Sequence, residues 1–221
     1  MLKQNPKILI LFIVLLFSFV SHSQTKTFSP KGSFSVDIGV PAKPHNKAFE
    51  RTMEGLLNGG IDYRYNAFKG LTIGAGLKYS LFTLNSFAFT NTAISGGYQM
   101  PGAYLIVGYE KFTTERVSFT GSIRGGYSFL MSFNDSCSVK PNASHISETF
   151  FLEPQVEVTM FTEKASEHAF SFVIGYDFYF HEFKSEDVCM SEIGTLLPES
   201  YDGITRYLSI GFGYRYYMGR K

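Results

Sequence analysis

The feature that most constrains this chain is a regular alternation of apolar and polar side chains over residues 117–133. One parity holds Val117, Phe119, Ile123, Tyr127, Phe129, Met131 and Phe133 with Gly121 and Gly125, and the other holds Ser118, Thr120, Ser122, Arg124, Gly126, Ser128 and Ser132, with Leu130 as its apolar exception. Because successive side chains of a β-strand point to opposite faces, this pattern predicts a strand with one apolar and one polar face. Its length suits a tilted strand that crosses a bilayer.

Similar alternation marks other segments, at residues 33–40, 60–67, 71–81, 102–111, 150–160, 170–180 and 204–218. The segment 102–111 is less regular, because Tyr104 and Ile106 share the polar parity with Glu110. Pro154 interrupts another segment, and since proline removes a ladder donor we expect a bulge there.

The connections between these segments alternate between long and short, and the short ones are 67–71, 112–117 and 161–169. Outer-membrane barrels have short periplasmic turns and long external loops. The sequence therefore predicts an all-β protein, an eight-stranded antiparallel up-and-down transmembrane β-barrel with both termini in the periplasm. Ten strands is the alternative, because Thr83–Met100 contains Phe87, Phe89 and Ile94 and could extend the neighbouring strands or add a hairpin.

A soluble sandwich would also alternate, with its apolar parity facing a core. Two observations favour the membrane barrel. The polar parity is rich in Gly and Ser and carries charges of both signs, as an enclosed lumen would. Aromatic residues of the apolar parity lie near strand ends, where interfacial girdles fall: Phe34, Phe133, Phe170, Phe172, Phe180, Tyr214 and Tyr216.

The N-terminus has the pattern of a secretory signal: the basic MLKQNPK, the apolar ILILFIVLLFSFV and the polar SHSQ. The apolar run from Ile8 to Val20 is shorter than the ~20 residues of a spanning helix. We therefore expect a signal peptide over residues 1–23 and one barrel domain over 24–221, located in the outer membrane of a Gram-negative cell envelope.

The chain resembles the small outer-membrane β-barrel proteins of the OmpA or OmpX transmembrane type, which are porin-family-like barrels. The resemblance is carried by the signal MLKQNPKILILFIVLLFSFVSHSQ, the strand VSFTGSIRGGYSFLMSF and the closing strand YLSIGFGYRYYMGRK. Many such proteins end on an aromatic residue, whereas here Met218, Gly219, Arg220 and Lys221 follow Tyr217.

Charged residues on the inward parity form the first candidate site. An eight-stranded barrel is only wide enough for its own side chains, so we expect opposite charges to pair into a plug; a gated ion or proton path is the alternative. The residues are Asp37, Asp62, Arg64, Lys78, Glu110, Arg124, Glu153, Glu157, Asp177 and Arg215.

Three further features fall in the long connections. Cys137 and Cys189 predict a disulfide in an exported chain, with free thiols or pairing to another chain as alternatives. The run HISE, from His145 to Glu148, holds a serine, a histidine and a carboxylate but no motif of a hydrolase family. Phe49, Met53, Leu56 and Leu57 have helical spacing, which predicts a short amphipathic helix within 46–58. It would cover the barrel mouth, lie on the membrane interface or dock a partner.

For function, we expect a non-enzymatic structural or interaction role through long extracellular loops, with membership of a larger outer-membrane assembly open. The alternatives are a porin-like channel for small solutes or ions, and a lipid-modifying enzyme. The expected partners are outer-membrane lipid and a protein at the loops. The net charge of +1, spread along the chain, argues against nucleic acid. No motif in the sequence supports a cofactor or a metal.

Overall fold

The computed structural model describes residues 30–42, 44–85, 96–134, 144–164, 166–183 and 204–219. Strands form almost all of this part of the chain, and their bounds exceed those predicted at most ends. The elements are β1 (Gly32–Ala42), α1 (Lys47–Thr52), β2 (Met53–Phe68), β3 (Leu71–Leu84), β4 (Gly96–Phe112), β5 (Val117–Asn134), β6 (Ser144–Phe161), β7 (His168–Glu182) and β8 (Ile204–Met218).

The strands form a closed barrel. Each strand pairs antiparallel with its neighbour in the chain, and β1 also pairs with β8, so no sheet edge remains. This confirms the predicted eight-stranded up-and-down architecture, and the ten-stranded alternative is wrong. The segment 83–100 extends β3 and β4, while residues 86–95 lie outside the described residues.

One end of the barrel carries short turns, and we call it the turn end. Gly32 at the start of β1 is paired with Met218 at the end of β8, so the first and last strands also begin and end there. The β2–β3 hairpin turns on Lys69 and Gly70, whose φ angles of 42° and 93° suit a two-residue hairpin. The opposite end carries the longer connections, and we call it the loop end.

The bulge expected at Pro154 is absent from the described ladders of β6. Pro154 stands opposite Ile123 without a register shift, and its side chain faces outward. On the β7 side the pairing passes from Leu152 to Gln155 in unchanged register. Pro154 lacks a backbone N–H donor, and the pairing of β6 with β7 is interrupted at this point. The strand therefore accommodates the proline without an inserted residue.

The helix predicted within residues 46–58 is real but short, because Met53 already pairs with Leu84 of β3. Asn46 begins α1, where its Oδ1 accepts a hydrogen bond from the backbone N–H of Phe49 at 3.1 Å, as an N-cap does. The Phe49 side chain is fully buried inside the loop end of the barrel. The helix thus covers the mouth, which is one of the alternatives that the sequence left open. Among the described residues, no helix is long and apolar enough to span a bilayer.

Candidate functional site

The two faces of the barrel have opposite chemistry. Large apolar side chains point outward, and Leu105, Phe150 and Phe212 are among the most exposed. On β6 the apolar outer positions run from Phe150 to Met160, which at about 3.3 Å per residue and a tilt near 40° gives about 25 Å along the barrel axis. That is the height of a transmembrane apolar band.

Polar and charged side chains close off this band above and below. Glu148 and Arg206 are exposed on the outer face toward the loop end. Lys111 and His168 are exposed on the outer face at the turn end. The apolar surface is therefore a belt of finite height, as expected for a protein that meets lipid around its middle and water at both ends.

The ten charged residues predicted to face inward all lie in the barrel interior, and we call them the interior network. All except Asp37 are almost completely buried, and the Asp37 side chain is 15% exposed. Strand alternation alone places them there. Their contacts with one another depend on how the strands are arranged around the barrel.

At the turn end, the network begins with a tyrosine. The Tyr217 hydroxyl donates to Glu110 Oε1 at 2.5 Å. Arg215 lies between two carboxylates, with its Nη1 atom 3.5 Å from Glu110 and its Nη2 atom 2.5 Å from Glu157. Arg64 approaches the same Glu157 oxygen at 3.2 Å and links it to the next group.

The middle of the network centres on Asp62. This carboxylate accepts from Arg64 Nε at 2.8 Å and from Arg124 Nη2 at 2.9 Å. The Ser35 hydroxyl also donates to it at 2.6 Å, and the Tyr104 hydroxyl at 3.2 Å. Asp62 is therefore well compensated, as a buried carboxylate must be to remain ionised.

Arg124 connects the middle of the network to its loop-end part. Its Nη2 atom also binds Asp37 at 2.9 Å, and its Nη1 atom lies 3.5 Å from Glu153. The guanidinium stacks on the Tyr104 ring, 4.9 Å from the ring centre. One cation therefore joins carboxylates from β1, β2 and β6, which ties distant parts of the barrel wall together.

Lys78 is the cation of the interior network that lies nearest the loop end. Its ammonium binds Glu153 at 2.8 Å and also Asp177. The Phe151, Tyr179 and Tyr207 rings lie within cation–π distance of the same nitrogen. Lys78 thus lies where the charged side chains of the lumen end and the aromatic side chains begin.

Apolar side chains fill the interior on both sides of the network. The loop-end plug includes Phe49, which meets Phe82 and Phe183 edge to face at 4.9 and 5.0 Å. The turn-end plug consists of Phe112, Phe161, Ala169 and Tyr217. The full loop-end plug is Phe49, Met53, Phe82, Leu84, Tyr98, Met100, Tyr104, Ile106, Leu130, Phe151, Tyr179, Phe183 and Tyr207.

These plugs explain the irregular positions in the sequence. Tyr104, Ile106 and Leu130 stand on the polar parity because they face inward, where each is at most 3% exposed. One small cavity of about 10 Å³, beside Asp37 and Glu153, is large enough for about one water molecule. Side chains therefore occupy most of the lumen of the described barrel.

Of the HISE residues, Ser147 and Glu148 lie on opposite faces of β6. Ser147 is 3.5 Å from His181 Nε2 across β6 and β7, at the loop end. Glu148 points outward, where it accepts a hydrogen bond from Tyr127. Since neighbouring strand residues face opposite sides, Glu148 cannot orient a histidine that serves Ser147. The His145 side chain lies outside the described residues.

Cys137 and Cys189 also lie outside the described residues. In the part of the chain that the structure describes, no group of three or more His, Cys, Asp or Glu side chains is arranged to hold a metal ion.

Sequence reasoning missed the neutral members of the site. Ser35, Tyr104 and Tyr217 donate hydrogen bonds to carboxylates of the interior network. The predicted site did not include them because it consisted of charged residues alone. Their inward parity was a signal that could have found them. The loop-end plug was also missed, because its aromatic residues come from separate strands and from α1.

No protein-family model matches this chain, and no curated protein matches it. Among solved structures, the chain is similar to Neisserial surface protein A, with 10% identity, a TM-score of 0.49, and coverage of 86% of this chain and 99% of that one. It is also similar to a major outer membrane protein from Thermus thermophilus, with 14% identity, a TM-score of 0.47, and coverage of 84% and 99%.

A third similar structure is Ail, the attachment invasion locus protein of Yersinia pestis, with 13% identity, a TM-score of 0.43, and coverage of 84% and 99%. All three likenesses concern architecture, and they assign neither a partner nor an activity to this chain.

Proposed function

We propose that this protein is an integral β-barrel of a bacterial outer membrane with a non-enzymatic structural or interaction role. The observation that carries the proposal is the inversion of its faces. A soluble barrel would bury its apolar parity, whereas here Leu105 and Phe212 face outward while Arg64, Arg124 and Arg215 are buried. Only a lipid environment makes that distribution favourable.

The loop end is the surface for interaction in this proposal. The lumen is filled by side chains, and the apolar belt is covered by lipid, so the long connections offer the most accessible surface. The longest connection joins β7 to β8 over residues 183–203. Connecting segments on a rigid scaffold commonly carry binding functions. With the short turns in the periplasm, this end faces outside the cell.

Two further parts of the proposal concern the ends and the loops of the chain. Residues 1–23 serve as a cleaved secretory signal, which N-terminal sequencing of the membrane-extracted protein tests directly. A disulfide between Cys137 and Cys189 joins the β5–β6 connection to the β7–β8 connection. By the chain-entropy account, closing so long a loop would contribute about 4 kcal/mol.

The first experiment is gel mobility of membrane-extracted protein, boiled and unboiled, with and without reductant. A closed barrel stays compact in detergent until it is heated, so we expect a shift on boiling. A further shift with reductant, absent in the double variant Cys137→Ser, Cys189→Ser, would support the disulfide. Recovery of the protein in the soluble periplasmic fraction, with no heat shift, would overturn the membrane assignment.

A loop replacement tests the interaction role. Residues 186–200 are exchanged for a short Gly-Ser linker, and a matched variant replaces residues 136–142 instead. Both variants should keep the heat-dependent gel shift, because neither replacement touches a strand. We expect cross-linked complexes on whole cells to be lost in at least one variant. If every complex and phenotype survives both replacements, the loops are not the interaction surface.

A porin-like channel is the second candidate, and the chain of ion pairs along the barrel axis is the observation that favours it. Conduction would require both the network and the plugs to rearrange. Planar-bilayer recordings of the purified barrel distinguish the two roles. We expect no openings, whereas stable single-channel steps from the wild-type protein would make transport the better assignment.

Enzymatic lipid modification has one testable residue. We expect the lipid profile of the outer membrane to be unchanged by Ser147→Ala, because the Glu148 carboxylate points to the opposite face of β6 from Ser147. A changed profile, restored by the wild-type chain, would replace the non-enzymatic assignment.

A further inference from the structure

The interior network contains more negative than positive groups. Six carboxyl groups, on Asp37, Asp62, Glu110, Glu153, Glu157 and Asp177, face four cations, on Arg64, Lys78, Arg124 and Arg215. All ten side chains lie in an enclosed lumen where water is scarce. An uncompensated buried carboxylate costs so much free energy that such groups neutralise instead. The imbalance therefore requires positive charge that the described side chains do not supply.

The shortage is greatest at Asp177. This side chain is fully buried, and its Oδ2 atom has no hydrogen-bond partner in the described barrel. Its other oxygen binds Lys78, but the same ammonium also binds Glu153 at 2.8 Å. One positive charge thus serves two carboxyl groups, an arrangement in which like charges favour binding of a proton.

Three of the other carboxylates each meet two cations. Asp62 binds Arg64 at 2.8 Å and Arg124 at 2.9 Å. Glu157 binds Arg64 at 3.2 Å and Arg215 at 2.5 Å. Glu153 has Arg124 at 3.5 Å in addition to Lys78. Glu110 meets Arg215 and also accepts from the Tyr217 and Ser118 hydroxyls, and Asp37 meets Arg124 and is 15% exposed. Among the described residues, Lys78 is the single cation in an ion pair with Asp177.

Among the described residues around Asp177, Arg124 is a second cation, but it pairs with other carboxylates and not with Asp177. The titratable or charged groups that line this level of the lumen come from all eight strands. They are Asp37 on β1, Asp62 on β2, Lys78 on β3, Tyr104 on β4, Arg124 on β5, Glu153 on β6, Tyr179 on β7 and Tyr207 on β8.

The Ser209 hydroxyl interacts with the Asp177 carboxyl, but it is neutral and brings no positive charge. The other neighbouring hydroxyl and guanidinium donors are directed elsewhere. The Tyr207 hydroxyl donates to Ser80 at 2.9 Å, and the Tyr104 hydroxyl to Asp62 at 3.2 Å. Arg124 is engaged with Asp37, Asp62 and Glu153. A neutral O–H without a partner at Asp177 costs less than an ionised oxygen without a donor.

We propose that Asp177 is a buried proton-binding site, whose proton is held in the folded barrel at neutral pH. The proton leaves Lys78 to compensate Glu153, and it allows the charged network to pack against the aromatic residues of the loop-end plug. Loss of the proton would place an additional negative charge beneath Tyr179 and Tyr207. The packing of the interior network against the loop-end plug therefore depends on whether Asp177 is protonated.

Infrared spectroscopy of the folded, full-length barrel in lipid vesicles tests the site directly. At pH 7 we expect the carbonyl band of a protonated carboxylic acid, shifted in D2O and absent from Asp177→Asn. The matched variant Asp62→Asn should keep the band, because Asp62 is paired with two arginines. A wild-type spectrum without the band, or a band that survives Asp177→Asn, would overturn the proposal.

Stability as a function of pH provides an independent readout. The folded barrel is proposed to hold a proton that the unfolded chain releases above the ordinary aspartate pKa of about 4. As the pH rises from there toward neutrality, the ratio of folded to unfolded protein should fall about tenfold per pH unit. Asp177→Asn, which resembles the neutral acid, should remain folded at pH 7 and lack this dependence. Glu157→Gln should keep it, although its overall stability falls.

Two results would contradict the proposal. An identical dependence on pH in the wild type and Asp177→Asn would place the proton elsewhere. A loss of stability on treatment with a chelator would mean that a metal cation supplies the missing charge.

Discussion

The inner and outer faces of this barrel are made from the same eight strands, yet their stability has different origins. In the proposed membrane location, outward side chains such as Ile123 and Leu105 each contact lipid independently, so we expect their contributions to depend mainly on depth in the membrane. Inward side chains depend on one another: Arg124 alone binds Asp37, Asp62 and Glu153. A substitution outside should therefore act locally, while one inside should affect groups from several strands.

The largest effect is expected from Arg124→Met. It leaves three carboxyl groups without their shared cation, and breaking a buried ion pair from one side costs about 3–5 kcal/mol. Urea unfolding in lipid vesicles, followed by the folded fraction on unboiled gels, measures the change. Arg206→Met on the outer face is the control and should cost less than about 0.5 kcal/mol. Equal losses of stability in Arg124→Met and Arg206→Met would contradict the expected difference between the inner and outer faces.

A charge on the apolar belt should cost somewhat less. Ile123 is 54% exposed at mid-height on β5, and Ile123→Arg places a guanidinium in the hydrocarbon, which costs about 2–4 kcal/mol. Ile123→Leu is the matched control. A water-soluble barrel would tolerate an arginine on its exposed face. An unfolding midpoint that is the same for Ile123→Arg and the wild type would therefore indicate that this face does not contact lipid.

The turn-end plug allows a finer comparison between two tyrosines on one strand. Tyr217→Phe removes the inward hydroxyl that donates to Glu110, and we expect a loss of about 1–2 kcal/mol. Tyr214→Phe removes an outward hydroxyl that contacts His168, and it should cost less because water can replace that bond. The same unfolding assay compares them, and the reverse order would show that the inward hydrogen bond contributes little.

The smallest effect concerns the helix in the mouth. Asn46→Ala removes the N-cap acceptor for Phe49, which costs about 1 kcal/mol, whereas Asn46→Asp retains an acceptor and should restore most of it. Protease cleavage near α1 in the folded barrel measures this local change. Equal cleavage of the two variants would indicate that the cap does not hold the helix in place.

The sequence predicted most strands because their signal is local. Residues 117–133 alternate without help from distant contacts, and β5 occupies Val117–Asn134. Prediction failed where a distant strand competes with the local pattern. Met53 has helical spacing with Phe49 but pairs with Leu84 instead, so the helix ends at Thr52. At Pro154, continuous ladder on the β5 side maintains the register that a bulge would have changed.

Strand alternation determined by itself which side chains face inward, because the period of two fixes the face of every residue once the strand exists. Closure of the barrel decided which of them meet. Lys78 binds Glu153 and Asp177 across 75 and 99 residues of chain, and no local pattern encodes those distances. The shared ammonium and the unpartnered Asp177 oxygen are therefore properties of the tertiary structure, since ion pairs in a closed lumen depend on the register of all eight strands.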